Sequence, residues 1–242
     1  INDAPVLTAI GDQSLDEDQQ LSLPISYTDY DGDTLSVTVT SSENNVSVSL
    51  DGSSLNFSST SNFNGSSVIT VTVAESGGEY ETSESFDITV NPVNDAPAMV
   101  TISNVTTLEE TETTVMLNAS DIDGDMNFSF IAESSSDLFT INVSGATLTV
   151  NPLLDKVGTG SITVTANDGN LNSASISFNV TIDNVNDVPV LSSIENPDAV
   201  TEDGENIVVS LSATDVDGDA VSFTVEAENS ELFETISVNG NT

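Results

Sequence analysis

The chain has 242 residues, forty Asp and Glu, a single base at Lys156 and a formal charge of −39. That balance excludes the basic patches on which nucleic-acid binding rests, disfavours an anionic membrane surface, and makes cations the natural partners. With no Cys and no His, the chain has no disulfides, thiol nucleophiles or Ser-His-Asp triads, and it lacks the usual zinc ligands.

The acidity is not that of a disordered tail. Hydrophobic residues make up 37% of the chain, and no acidic run is longer than three residues. Val, Ile, Thr and Ser dominate over helix formers, which predicts strands with solvated faces. No apolar run approaches the roughly 20 residues of a membrane span, so no membrane insertion is expected.

Taken in chain order, the first landmark is "NDAP" at 2–5. The acidic pair Glu17-Asp18 follows, then "DYDGD" at 29–33 and a strand pattern, "LSVTV", at 35–39. In "VITVTVA" (68–74), Ile69, Val71 and Val73 share one face, and Thr70 and Thr72 the other. "AESGG" and the strand "SFDITVN" (85–91) close the copy. "NDAP" then returns at 94–97 and "NDVP" stands at 186–189, so 94 − 2 and 186 − 94 both give a period of 92. Copy two repeats Glu109, "DIDGD" (121–125), "SITVTAN" (161–167), "ANDGN" (166–170) and "SFNVTID" (177–183). At that period Ala74 maps to Ala166, which pairs Glu75-Ser76 with Asn167-Asp168. Copy three supplies Glu202 and "DVDGD" (215–219), displaced by one and two residues, as a short insertion near "ENPDA" would produce.

About seven short strands per copy, parted by Gly, Asn, Asp and Ser turns, predict an all-β chain of tandem Ig-like, Greek-key sandwiches joined end to end. The expected domains are 1–92, 93–184 and a partial third repeat at 185–242. Strands are expected in that third repeat at 206–213 and 220–227. It stops before the equivalents of 68–74 and 84–91, so we expect the natural chain to continue past 242 or a neighbouring molecule to complete the fold.

The acidic motifs fall in register with the turns. On a sandwich, alternate loops gather at each end, so one junction is expected to collect Glu17, Asn91, Asn94, Asp95, Asp121, Asp123 and Asp168. Carboxylates 4–5 Å apart repel by roughly 3–4 kcal/mol per pair at an effective dielectric near 20. Several such pairs rival the 5–15 kcal/mol or so that holds a small domain together. A hard cation reverses the sign, and calcium, taking 6–8 oxygens in flexible geometry, suits ligands drawn from separate loops. The clusters do not match an EF-hand, whose loop needs Gly at position six.

"VNPVNDAP", "DIDGD" and "ANDG" resemble the linker, Asp-x-Asp and Ala-x-Asp-x-Gly motifs of cadherin repeats. They are closer still to the bacterial cadherin-like, Ig-like tandem repeats of large secreted or surface adhesins. The resemblance covers the whole chain. It implies Ca²⁺ between successive repeats, held at the first junction by the seven residues just named. At the second it implies Glu109, Asp155, Asp183, Asn186, Asp187, Asp215 and Asp217, with Asp155 resembling the acid of the family's Asp-Arg-Glu loop. The leading end of copy one adds Asp3, Asp29, Asp31 and Glu75. The Asp-Arg-Glu motif itself is missing, "NFNG" (62–65) stands in its place in copy one, and position 91 is Asn where copy two has Asp183. The first junction is therefore expected to hold fewer ions than the second, or to hold them more weakly.

The function expected is a calcium-stiffened extender segment of a bacterial extracellular or cell-surface adhesin. Its partners would be calcium ions and neighbouring repeats or subunits. Two alternatives stand beside it: a filament subunit completed by strand exchange between chains, and a polysaccharide-binding module, for which carbohydrate would be the partner. Catalysis is not expected, because the same carboxylates recur in every copy, with no Trp and only three Tyr.

Overall fold

The computed structural model describes residues 2–77, 80–199, 207–228 and 235–238. Among them every regular element is a strand. The first repeat carries β1 (Val6–Leu7), β2 (Gln13–Asp16), β3 (Gln20–Pro24), β4 (Tyr27–Thr28), β5 (Leu35–Ser41), β6 (Val46–Asp51), β7 (Ser54–Ser59), β8 (Gly65–Glu75) and β9 (Glu81–Asn91). They form a four-stranded sheet, β2-β9-β8-β5, and a three-stranded sheet, β3-β7-β6, with β1 paired to β4. The seven strands expected from sequence become nine because the first two are each interrupted. Their first and last pieces separate into β1 and β2, and into β3 and β4.

The second repeat carries β10 (Ala98–Met99), β11 (Val105–Leu108), β12 (Thr113–Met116), β13 (Ala119–Ser120), β14 (Ser129–Glu133), β15 (Phe139–Ser144), β16 (Thr147–Pro152), β17 (Gly158–Asn167) and β18 (Ile176–Asp183). Its sheets, β11-β18-β17-β14 and β12-β16-β15, repeat the topology of the first. In both, the connections cross between sheets from the fifth strand to the sixth and from the seventh to the eighth, the Greek-key pattern of Ig-like sandwiches. β2 runs parallel to β9, with Gln13 opposite Ile88 and Asp16 opposite Asn91. β11 does the same with β18, from Val105 opposite Val180 to Leu108 opposite Asp183.

Alternation builds the cores. Along β8, Ile69, Val71 and Val73 are buried and the intervening Thr70 and Thr72 look outward, where they hydrogen-bond Ser85 and Ser83. Leu55, Phe57, Phe86, Ile88 and Val90 close the first core, with Phe57 edge-on to Phe86 at 6.2 Å. Leu148, Val150, Ile162, Val164, Phe178 and Val180 fill the second. Each such burial contributes roughly 1.5–3 kcal/mol relative to exposure.

The facing pairs also settle how the repeats superpose. Ser36 donates to the Ala74 carbonyl, and Ser129 donates to that of Asn167. Val37 lies opposite Val73, and Phe130 opposite Ala166. From β5 through β8 the offset is therefore 93 (129 − 36 and 166 − 73), not 92. One extra residue in copy two, between Asp125 and Ser129, shifts the register, so Glu75 corresponds to Asp168 rather than Asn167. The shorter hairpin after β17 restores 92 at Phe86 and Phe178.

The chain forms two compact units. One comprises Ile1–Pro97 with the loops Ser120–Asn127 and Asp168–Asn172, and the other comprises Ala98–Ala119, Phe128–Asn167 and Ser173–Thr242. In the third repeat the described residues hold β19 (Val190–Leu191) paired with β20 (Ala213–Thr214). Of the strand expected at 206–213 only Ala213 is in strand, and the one expected at 220–227 is absent. Residue 206 lies outside the described residues. In the first repeat β3 pairs with β7 and β5 with β8. Among the described residues of the third repeat, Ile207 and Val209 are 39% and 40% exposed.

Candidate metal centres

Within the first compact unit, the end of β2 meets the segment that follows β9. Glu17 donates its N–H to the Asn91 carbonyl at 2.9 Å, continuing the parallel pairing by one residue. Its side chain is turned inward and is only 3% exposed. Glu17 Oε1 accepts the Val93 N–H at 2.6 Å, while Oε2 is buried without a hydrogen-bond partner.

The two loops of the second repeat that belong to this unit complete the set. Asp121 Oδ1 accepts the Asp123 N–H at 2.8 Å, and Asp123 Oδ2 accepts the Asp95 N–H at 2.7 Å. Asn94 donates to Asp168 Oδ2 at 2.9 Å and receives a hydrogen bond from Asn170. Asp168 Oδ1 accepts the N–H groups of Asn170 and Leu171. Five of the seven residues expected at the first junction thus lie in one hydrogen-bonded neighbourhood by their side chains, and Asp95 joins it through its backbone N–H and carbonyl. The seventh, Asn91, contributes its carbonyl but turns its side chain to Asp16 Oδ1.

The second set, inside the other unit, repeats this plan. Glu109, 3% exposed, bonds the Asp183 carbonyl through its N–H and accepts the Val185 N–H on Oε1 at 2.7 Å. Asp217 Oδ2 accepts the Asp187 N–H at 2.6 Å, and Asp215 Oδ1 holds the N–H groups of Asp217 and Asp219. One carboxylate oxygen each from Glu109, Asp187 and Asp217 lies within 4.8 Å of the others. Asn186 bonds the Asp187 carbonyl, and the Asp183 side chain is exposed.

At the leading end of the first repeat, Asp31 Oδ2 accepts the Asp3 N–H at 2.8 Å and Asn2 donates to Glu75 Oε2. Asp29 Oδ1 gathers the N–H groups of Asp31, Gly32 and Asp33. All three Asp-x-Asp-Gly-Asp loops share this turn. It needs a left-handed residue at its fourth position, which Gly32, Gly124 and Gly218 supply with φ of +83°, +87° and +81°.

The electrostatics carry the strain of crowding. Partial burial pushes the Asp95 carboxyl above its ordinary pKa, and the charges of Asp123, Asp18, Glu17 and Asp121 push it further. Asp187 is raised in the same way, by burial and then by Asp217, Asp155, Glu109 and Asp215. Asp168 is lowered, chiefly by the Leu171 N–H, then by Asn94 and the Asn170 N–H.

Six buried side-chain oxygens or nitrogens among the described residues have no hydrogen-bond partner. Five are carboxylate oxygens of expected ligands: Glu17 Oε2, Asp29 Oδ2, Glu75 Oε1, Asp95 Oδ2 and Asp121 Oδ2. A buried acceptor without a donor is costly, and Asp29 and Glu75 each offer an oxygen that lies, with one of Asp33, within 4.8 Å of the others. An all-oxygen set with orphaned carboxylates fits a hard cation such as calcium. Asp33, Asp18 and Asn2 are not among the ligands expected from the sequence. Asp33 was visible as the third acid of "DYDGD", and Asp18, which acts on Asp95, as the neighbour of Glu17.

A family model described as a bacterial Ig domain matches residues 2–90 and again 94–181. The chain belongs to the bacterial Ig domain family. Bacterial Ig repeats are generally structural modules rather than enzymes, and they are typically extracellular or surface-borne. No helix among the described residues is long and apolar enough to cross a membrane.

Two solved structures share the fold of these bacterial Ig repeats. Drosophila N-cadherin EC1-4 is 17% identical with a TM-score of 0.51, over 76% of this chain and 50% of that one. Human protocadherin-24 EC1-2 is 16% identical with a TM-score of 0.51, over 75% of this chain and 98% of that one. The bacterial Ig chain thus spans about half the length of the N-cadherin fragment. No curated protein matches it in sequence.

Proposed function

We propose that this chain is a calcium-stiffened extender segment of a bacterial extracellular or surface adhesin. Repeats 1–92 and 93–184 and the partial repeat 185–242 would serve as its units. One observation supports the reading: among the described residues, five of six orphaned buried side-chain polar atoms are carboxylate oxygens of the acidic sets, three around the first inter-repeat segment and two at the leading end of the first repeat.

Glu17 and Glu109 would hold the ion from the side of the preceding repeat. Asp95 and Asp187 would hold it from the linker, and Asp121, Asp123, Asp168, Asp215 and Asp217 from the following repeat. Asn94 and Asn186 orient the linker, and Asp155 adds charge at the second set. Bound calcium would supply the positive charge that neutralises these carboxylates. Each linker, already hydrogen-bonded to acids on both sides, would then resist bending. The protein's partners on this reading are calcium and neighbouring repeats.

Calorimetry tests it. Calcium is expected to raise the melting temperature over that in EDTA, and magnesium to do so far less, because it demands a tight octahedron and keeps its waters. A melting temperature indifferent to EDTA and calcium would refute the proposal.

A further inference from the structure

We propose that the outer edge of β12, in the second repeat, docks an extended peptide segment of another protein, uncharged in its middle and basic at its end. The proposal goes beyond the extender reading and rests on no metal. β10 pairs with β13 and β11 with β18, so residues 100–104 cross from one sheet to the other. The Val100 N–H still reaches the Asn118 carbonyl at 3.0 Å, but Asn104 Oδ1 already accepts the Asn179 N–H on the opposite sheet. β12 is left as the edge of β12-β16-β15, and among the described residues no strand pairs with its outer side. The gap is a groove of about 310 Å³ between residues 100–105 and β12.

Register fixes which groups face it. Val115 lies opposite Leu148, and the Leu117 N–H bonds the Ala146 carbonyl at 2.8 Å. Bonded pairs alternate along an antiparallel ladder. Thr113 and Val115 therefore face β16, as Leu117 does, while the backbone N–H and C=O of Thr114 and Met116 point toward the groove. In the first repeat the Ile25 N–H bonds the Ser53 carbonyl in the same way. Pro24 thus stands where the second repeat has Met116 (116 − 24 = 92), and Thr8 where it has Val100. Proline offers no N–H, which blunts a sheet edge. Met116 keeps the donor and, 71% exposed beside Val100 at 45%, adds an apolar rim.

Charge selects the occupant. The chain carries −39, yet none of the ten residues lining the groove is charged. Val100, Ile102, Val105, Val115 and Met116 give it apolar walls. A strand added there takes main-chain bonds from Thr114 and Met116 and seats alternate apolar side chains against those walls. Glu110 and Glu112, exposed at the entry to β12, favour a basic residue at that end of the segment. A second copy of the chain is disfavoured, because two chains of this charge repel each other.

The probe is a capped, fluorescent Lys-Val-Thr-Val-Thr-Val-Lys peptide, titrated onto the full chain by anisotropy, with amide hydrogen exchange to locate it. Binding is expected to slow exchange at Thr114 and Met116. Met116→Pro removes the donor as Pro24 does, and Met116→Lys puts a like charge at the rim. Each is expected to weaken binding about tenfold or more. A peptide N-methylated at alternate residues, and one with Glu in place of Lys, are expected to bind wild type as weakly, which keeps the test independent of how the variants fold. Equal affinity for wild type and both variants overturns the proposal, as does protection away from β12 or no binding to wild type. A wild-type dimer in sedimentation that Met116→Pro dissolves would make a second copy the occupant. Protection of the same amides by cellohexaose and not by the peptide would make it a neutral glycan, and either result overturns the proposal.

Discussion

Glu109→Gln separates a metal ligand from a structural acceptor by the sign of its effect. Glu109 is 3% exposed, accepts the Val185 N–H, and has an oxygen within 4.8 Å of one on Asp217. Gln keeps the shape and the acceptor and removes one charge. At 4.8 Å and an effective dielectric near 20, Coulomb's law gives about 3.5 kcal/mol of repulsion for the Glu109–Asp217 pair. Solvent at half-buried Asp217 discounts that to ~1–2 kcal/mol. For a domain of this size 1 kcal/mol is about 4–8 °C in melting temperature. In EDTA the variant is therefore expected to melt at least ~4 °C above wild type. In calcium the order reverses, because an ion at about 100 times its Kd adds ~2.7 kcal/mol to whichever chain holds it. Scanning calorimetry of both chains under both conditions reads the crossing. A shift of the same sign in EDTA and in calcium would refute the reasoning.

Asp121→Ala is expected to shorten the maximum dimension measured by small-angle scattering in calcium, through the first linker, and Asp215→Ala to do so through the second. Unchanged scattering from both would make these aspartates turn residues only. The pH response in EDTA follows from the raised carboxyls of Asp95 and Asp187. Above the unfolded value of 3.8 the folded chain holds more protons at these sites than the unfolded chain. Their contribution is thus complete below 3.8 and is lost as pH rises through the folded values. Asp168, lowered, works oppositely, its contribution present above 3.8 and lost as pH falls through its folded value. Melting temperature in EDTA is expected to rise on acidification from neutrality toward the carboxylate range, and Asp95→Asn to flatten that rise. Gly160→Ala is expected to destabilise the second sandwich by about 1–3 kcal/mol in urea titrations, since a Cβ there would stand 2.4 Å from Ser136 Oγ and 2.7 Å from Phe139.

Much of this was legible in the letters. Ile69, Val71 and Val73 announced the inward face of β8, and the period of 92 announced that Glu17 and Glu109 play one part. The register between copies was less legible. Matching "AESGG" to "ANDGN" lays Ala74 on Ala166, but a sheet aligns residues by which face they bury, and a single inserted residue before β14 moves every later face by one. Glu75 thereby took its place as the counterpart of Asp168, on the buried register of β8. Asp33 escaped notice because spacing within a motif does not say which carboxylate turns toward a neighbour from another strand. The expected third-repeat strands at 206–213 and 220–227 had the right alternation, but alternation alone does not form a sheet.

The parallel pairing of β2 with β9, and of β11 with β18, has a mechanical consequence. The chain enters each four-stranded sheet along the first strand of the pair and leaves along the second, pointing the same way. Tension on the chain draws the two strands in opposite directions along their common axis. From Gln13 opposite Ile88 to Asp16 opposite Asn91, the bridging hydrogen bonds are then loaded together, in shear, rather than peeled one at a time. Glu17, bonded to the Asn91 carbonyl and the Val93 N–H, stands at the end of that seam, so the carboxylate of the first acidic set also clamps the place where a pulled repeat would begin to give way.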